Sequence, residues 1–429
     1  MIRQGMTMEK SEHTSTAVGG KVPKDGLNGF VRLVYFVQIV ILLNLVFCYF
    51  GLPKTYLAAV AFGYVFLLFK LHSRTLGLGH LIKLAYFFSV LITGILHLVL
   101  YPSTDPQQII YGMFIYMLLP GFWFLISFCT GDSENLLKEL FWKLRYVIIA
   151  TSLLGIVQYF FAPTMFGLQN EDSSRQLMFL AEGNLEFTDY VTFFRATSLW
   201  SSPQICGLYL SLYIIGYYSF FGHTLSTFFT LLPCFMCGVL TSNKSFLLNM
   251  LLFFFLKFKI SILWKSLCVV SGILILSLGV TGNMDNAVFD RLLSVDRIIE
   301  EETAKESRFE IYKRLLSECI PWGNGVGSLQ NNKFHNSERV AESFLLQILY
   351  EMGFLPCALF LLILFLQFRS CPKKLRLLMF AAFSSMIYIH AFNSIHMMFF
   401  YSLVFLDFSK REAPGCPSDA GKTEKCLMG

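Results

Sequence analysis

The sequence predicts an all-α, polytopic membrane protein with about 12 transmembrane helices and two long outer loops. Composition is the first reason. Of the 429 residues, 55% are hydrophobic and only 14% are charged, and mean hydropathy is +0.59. Soluble domains carry about 25% charged residues. The second reason is the length of the apolar runs, and the third is the placement of basic residues on alternate turns.

The apolar segments fall at approximately 30–52, 55–71, 84–101, 109–129, 144–162, 203–221, 223–240, 245–256, 261–281, 341–368, 376–390 and 396–408. Residues 1–29 form a polar tail. The run that follows is too long for a signal-peptide core and has no small-residue cleavage site, so it reads as an uncleaved first helix. With that tail in the cytoplasm, Lys70, Arg74 and Lys83 face inward, as do Lys138, Lys143 and Arg145. Lys257, Lys259, Lys265, Arg369, Lys373, Lys374 and Arg376 fall on the same side, and so does the C-terminal tail 409–429 with Lys410 and Arg411. The short outer turns keep little beyond Lys54 and Lys244. This is the positive-inside pattern. It accounts for the net charge of +6 without any nucleic-acid partner.

The membrane domain, 30–408, thus holds two long outer loops, 163–202 and 282–340. Loops of that length in a compact domain tend to be functional. Both carry aromatic and apolar residues, among them Phe179, Phe187, Ile311 and Tyr312, which predicts short helices on the membrane surface. On the inner side, Asp132 through Trp142 predicts an N-capped interfacial helix. Most of the 11 cysteines sit in or beside apolar runs as small hydrophobes. Cys234-Phe235-Met236-Cys237 has redox spacing without a thioredoxin-like context. Cys319 alone lies clearly in an outer loop, so no disulfide framework is expected.

Two polar motif regions interrupt this apolar chain. The first is Arg195-Ala196-Thr197-Ser198, followed by Ser202-Pro203 and Gly207. The second runs from Ser307-Arg308 and Tyr312 through Gly323-Asn324-Gly325-Val326-Gly327-Ser328 to Ala341-Glu342-Ser343 and Glu351-Met352-Gly353. In their order and placement these motifs, which cover about a quarter of the chain, resemble the bacterial O-antigen polymerase and ligase family. Ligases of that family carry His-Asn where this chain has Glu342-Ser343, which is the polymerase-like form. The turn Thr241-Ser242-Asn243-Lys244 resembles a family turn that usually ends in arginine. Lysine keeps the charge and loses the bidentate fork.

The resemblance implies substrates carried on undecaprenyl pyrophosphate, in the bacterial cytoplasmic (inner) membrane with both termini inside. The implied reaction moves a growing glycan from its lipid pyrophosphate onto a sugar hydroxyl of a new lipid-linked repeat unit. Membrane lipids are partners by necessity, and a chain-length regulator is left open as a further one. A ligase that transfers finished glycan to lipid A-core, and a flippase for the same lipid-linked sugar, remain alternatives. The leaving pyrophosphate needs positioned cations, and the outer loops offer arginines rather than an Asp-x-Asp pair or a histidine cluster. No metal and no cofactor is expected.

Arg195 and Arg308 are accordingly the expected pyrophosphate ligands, with Arg314 and Lys244 as further substrate-binding cations. Each could instead simply snorkel to lipid phosphates. Glu342 is the candidate general base or sugar-hydroxyl anchor, and Ser343 beside it is counted among the substrate-binding residues. An acid in a first helical turn also complements the helix dipole with no catalytic role. His335 is a second possible base, although a histidine in a polar loop is ordinarily solvated. His390 and His396 flank a short outer turn. Glu351 lies nine residues beyond Glu342 and therefore on nearly the opposite helical face, so it reads as structural within the bundle.

This topology has a direct test. A reporter enzyme that works only in the periplasm, fused after Asn331, is expected to be active. Fluorescence there from a cytoplasm-dependent reporter would overturn the orientation.

Overall fold

In a computed structural model of the chain, the structure describes residues 24–52, 55–70, 77–100, 106–161, 196–200, 202–241, 243–257, 308–328, 343–388 and 396–408. Arg195, His335 and Glu342, together with the segment expected at 261–281, lie outside the described residues. Among the described residues the chain is mostly helical, and no strand occurs.

The first elements are α1 (Lys24–Leu42), α2 (Asn44–Tyr49), α3 (Thr55–Phe69), α4 (Leu78–Leu100) and α5 (Pro106–Met113). One π-helical turn, Phe114–Leu118, joins α5 to α6 (Leu119–Thr130). Then come α7 (Ser133–Phe160), α8 (Pro203–Phe221), α9 (Leu225–Leu240) and α10 (Lys244–Lys257). The last are α11 (Arg308–Ser317), α12 (Phe344–Met352), α13 (Phe354–Ser370), α14 (Arg376–Tyr388) and α15 (Met398–Ser402). Among the described residues three helices, α4, α7 and α8, are long and apolar enough to cross a membrane, and several others are apolar but shorter.

Local chemistry explains the helix limits. Gly131 ends α6 in a left-handed conformation, φ 66°. Asp132 then caps α7, its side chain accepting the Asn135 N–H at 3.1 Å. The expected cap is therefore present, but the separate interfacial helix is not. Residues 133–160 form one continuous helix of 28 residues, about 42 Å long. Ser202 caps α8, with Pro203 at its start.

A larger correction concerns 341–368. One continuous helix would hold Phe344 and Phe360 about 24 Å apart. Their ring centroids are 5.2 Å apart instead. The chain breaks at Gly353, φ 83°, and α12 and α13 fold back on one another as a hairpin. Phe344 and Phe360 sit deep in the bundle. Phe360 also meets Tyr86 of α4, with centroids 5.9 Å apart. Tyr86 lies about 16 Å along α4 from His97. The apolar pattern concealed the break because both arms are apolar and join through a single glycine.

One end of the bundle is closed by the C-terminal segment. Lys83 donates to the carbonyls of Phe405 and Leu406 at 3.1 and 2.8 Å, and His80 Nε2 lies 3.2 Å from Asp407 Oδ2. The Asp407 N–H donates to Ser127, whose hydroxyl is 2.7 Å from that of Ser133. Beside them, Lys374 pairs with Glu134. The starts of α4 and α7 therefore lie together. Running 23 and 28 residues away from this point, the two helices carry His97 and Gln158 to the opposite end, called here the loop end.

Gly353 combines a positive φ with close contact. A Cβ there would run into the Pro321 carbonyl and would lie 2.7 Å from the Gly323 nitrogen. Left-handed backbone alone costs an L-residue about 1–2 kcal/mol, and displacing packed backbone adds to that. Gly353→Ala is thus expected to lower the thermal midpoint of the detergent-solubilised protein measurably. An unchanged midpoint would contradict this account of the hairpin.

Candidate functional site

The loop end carries two polar constructions. The first is built where α7, α8 and α9 meet. The Ala196 N–H donates to the Leu240 carbonyl at 3.1 Å, and the Ser198 N–H donates to Gln158 Oε1 at 2.9 Å. Thr197 Oγ1 reaches the same Gln158 oxygen at 3.4 Å, and Ser198 Oγ donates to the Thr151 carbonyl. Ser198 holds φ 50°, uncommon for a residue with a side chain. These bonds help to hold the strained turn among buried helices.

The expected turn 241–244 docks on this construction. Asn243 donates to the Gln204 carbonyl at 2.6 Å and accepts the Ser245 N–H at 2.9 Å. Gly207 allows the approach, because a Cβ there would stand 2.5 Å from Thr241 Oγ1 and 2.8 Å from Asn243 Cβ. The residues Ala196–Ser198, Ser202, Gly207 and Asn243, separate in sequence, are thus brought to one place. Lys244 opens α10 directly after it.

The second construction is the glycine-rich turn. Gly323, Gly325 and Gly327 all have positive φ, at 84°, 124° and 78°. The turn lies against α12, with the Asn324 N–H donating to the Tyr350 carbonyl at 2.8 Å. It also lies against α5, where a Cβ on Gly112 would meet Val326 Cγ1 at 2.6 Å. Two side chains from the bundle hold it. His97 Nδ1 accepts the Val326 N–H at 3.0 Å, and its Nε2 is 2.9 Å from the Trp322 carbonyl. That pair of contacts places the ring proton on Nε2. Glu351, fully buried, accepts the Gly327 N–H at 2.9 Å, the Tyr116 hydroxyl at 2.8 Å and the Gln347 amide at 3.0 Å.

The placement of the other expected residues is mixed. Arg308 opens α11, a helix whose Leu315 packs on Leu346 of α12. Arg314 lies exposed in the last turn of that helix. Ser343 is buried and caps α12, its hydroxyl accepting the Leu346 N–H at 3.4 Å. That bond uses the hydroxyl as an acceptor. His396 is buried, and His390 lies outside the described residues.

Sequence reading missed His97 and Tyr116 as partners of the glycine-rich turn, and it assigned Glu351 only a general place in the bundle. A usable signal existed for Glu351, the only acid between Phe344 and Ser370. An ionisable residue within a membrane segment is a functional candidate by default. No such signal marks Tyr116, because a tyrosine in an aromatic-rich run is unremarkable in sequence. A small, mainly aromatic cavity lies below Glu351, lined by Tyr86, Tyr116, Phe344, Phe360, Tyr401 and Ser402.

No protein-family model matches this chain, and no curated protein matches its sequence.

Cys319 offers a chemical probe of this end. Burial raises its thiol above the ordinary cysteine range, and the charge of neighbouring Glu318 raises it further. Its Sγ also donates to the Leu315 carbonyl at 3.1 Å. A raised value leaves less thiolate at neutral pH, and the thiolate is the nucleophile. Maleimide labelling of Cys319, read by peptide mass spectrometry, should therefore be slow at pH 7 and climb at higher pH than for a free thiol. Glu318→Gln should shift that climb to lower pH. Rapid labelling at pH 7 would refute the assignment.

Proposed function

We propose that this chain is a membrane glycosyltransferase that polymerises undecaprenyl-pyrophosphate-linked oligosaccharide repeat units into O-antigen or a related surface polysaccharide. The single observation that carries the reading is that both motif regions attach to one end of the helical bundle. Ala196–Ser198 is bound at the end of α7, and Gly323–Ser328 is bound at the end of α4. In the proposed topology about 12 helices cross the bacterial inner membrane. Loops 163–202 and 282–340 face the periplasm, and both termini lie in the cytoplasm.

The reaction follows from the bonds exchanged. The C1–oxygen bond between the growing glycan and its lipid pyrophosphate breaks, and the oxygen leaves with the electron pair. A hydroxyl at the nonreducing end of a new lipid-linked unit forms the glycosidic bond. Arg195 and Arg308 are assigned to the departing pyrophosphate, whose oxygens suit the paired donors of a guanidinium. Lys244 and Arg314 add positive charge around it. Glu342 is assigned to take the hydroxyl proton, with His335 as the alternative. Glu342-Ser343 in place of His-Asn favours polymerase over ligase.

A deletion strain distinguishes the readings. A single repeat unit on the lipid core marks a lost polymerase, whereas the absence of any transferred repeat unit marks a lost ligase or flippase. With purified protein, Arg195→Ala and Arg308→Ala are each expected to cut turnover by about 100- to 1000-fold, the usual cost of one transition-state donor. Arg195→Lys and Arg308→Lys should also lose most activity, because charge survives without the fork. Fully active, normally expressed alanine variants would refute a shared pyrophosphate site.

A further inference from the structure

We propose that Glu351 is a positioning residue that anchors the glycine-rich turn through hydrogen bonds rather than through charge or proton transfer. This extends the polymerase reading to a residue outside the assigned catalytic and substrate-binding groups. Its carboxylate is fully buried and joins three parts of the chain. Tyr116 comes from the π-helical turn, Gly327 from the glycine-rich turn, and Gln347 from the preceding turn of α12. Gly327 lies two residues before the segment 329–342, and Ser343 directly follows it. Both of these flanking residues are bonded to the same short helix. Ser343 caps its first turn, and Glu351 holds Gly327 from its last turn.

The arrangement of donors makes the claim separable from a catalytic role. The Tyr116 hydroxyl and the Gly327 N–H both reach Oε2, whereas Gln347 reaches Oε1. A glutamine at 351 can place its single carbonyl oxygen at the Oε2 position and keep both of the long-range bonds. Its NH2 would then face Gln347, whose own Oε1 has no hydrogen-bond partner among the described residues. Rotating the Gln347 amide by half a turn presents that oxygen to the new donor. Glu351→Gln therefore keeps the bonds to Tyr116, Gly327 and Gln347 and removes the charge. Glu351→Ala removes the links.

The test uses the full-length protein in detergent, with monodispersity checked for each variant. Turnover of Glu351→Ala should fall about 10- to 100-fold, the scale of a misplaced active-site segment. KM for the lipid-linked repeat unit should stay within about 3-fold, since the substrate-binding cations are untouched. Glu351→Gln should remain within about 3-fold of wild type in both constants, as expected when the bonds to Tyr116, Gly327 and Gln347 are kept. Glu351→Met, similar in length but without hydrogen-bonding oxygens, replaces alanine if the smaller variant fails to fold.

A second measurement does not depend on the reaction. The Ser328 hydroxyl has no hydrogen-bond partner among the described residues, so Ser328→Cys breaks none of the bonds described. In a Cys319→Ser background, maleimide labelling at position 328 should accelerate about 10-fold with Glu351→Ala and stay unchanged with Glu351→Gln, if opening of the turn costs about 1.4 kcal/mol less without the anchor. Unchanged labelling in folded Glu351→Ala or Glu351→Met overturns the anchor. Glu351→Gln as inactive as Glu351→Ala, with labelling like wild type, also overturns the proposal, because the carboxylate would then act through charge or a proton. Wild-type protein that fails to polymerise repeat units, while labelling behaves as expected, sinks the polymerase reading and supports the anchor.

Discussion

A carboxylate taken wholly out of water must be supplied with donors, and Glu351 imposes that requirement on the loop end of this bundle. Leaving a buried charge unsatisfied costs several kcal/mol, whereas each hydrogen bond to a charged group returns about 1.5–3 kcal/mol. Donors reach it from residues 116, 327 and 347. Satisfying one side chain thus brings together the π-helical turn, the glycine-rich turn and α12. His97 repeats the logic on the other flank of the turn, where one imidazole meets the Val326 N–H and the Trp322 carbonyl. Between them, two buried side chains satisfy backbone that would otherwise be exposed to lipid or lie unpaired.

The glycines make that approach possible. Gly323 and Gly353 both hold positive φ, and a Cβ on either would collide with backbone of the other segment. The 321–324 stretch can therefore lie directly on the tip of the α12–α13 hairpin. The Phe354 N–H donates to the Pro321 carbonyl at 3.0 Å, completing the contact. At the opposite end the same problem is solved with charge. Lys83 satisfies the carbonyls of Phe405 and Leu406, and Asp407 faces His80. Aromatic packing fills the space between the ends. Phe344 lies over Tyr401 with ring planes 7° apart, and Phe405 stacks on Phe87.

For the polymerase reading, the consequence is that each of two motif regions far apart in sequence is bonded to buried helices. Ala196–Ser198 is bonded to Gln158, Thr151 and Leu240, and the glycine-rich turn is bonded to His97 and Glu351. Such anchoring suits the positioning that phosphate-displacing chemistry demands. Ser343 caps α12 through an accepting bond, which leaves its O–H free to act as a donor.

Much of this was legible in sequence for a simple reason. Hydropathy and basic-residue placement are local averages, so helical class, the apolar segments and the uneven distribution of lysine and arginine could be read without any contact. The Asp132 cap and the turning role of Gly323, Gly325 and Gly327 were legible because they are short-range backbone chemistry. Tertiary structure alone decided that 343–370 is a hairpin, since an apolar run looks the same whether it continues or doubles back at Gly353. It alone decided that Glu351, His97 and Tyr116 belong to one polar node. Those residues are separated by up to 254 positions, and only burial away from water forces such donors and acceptors to find one another.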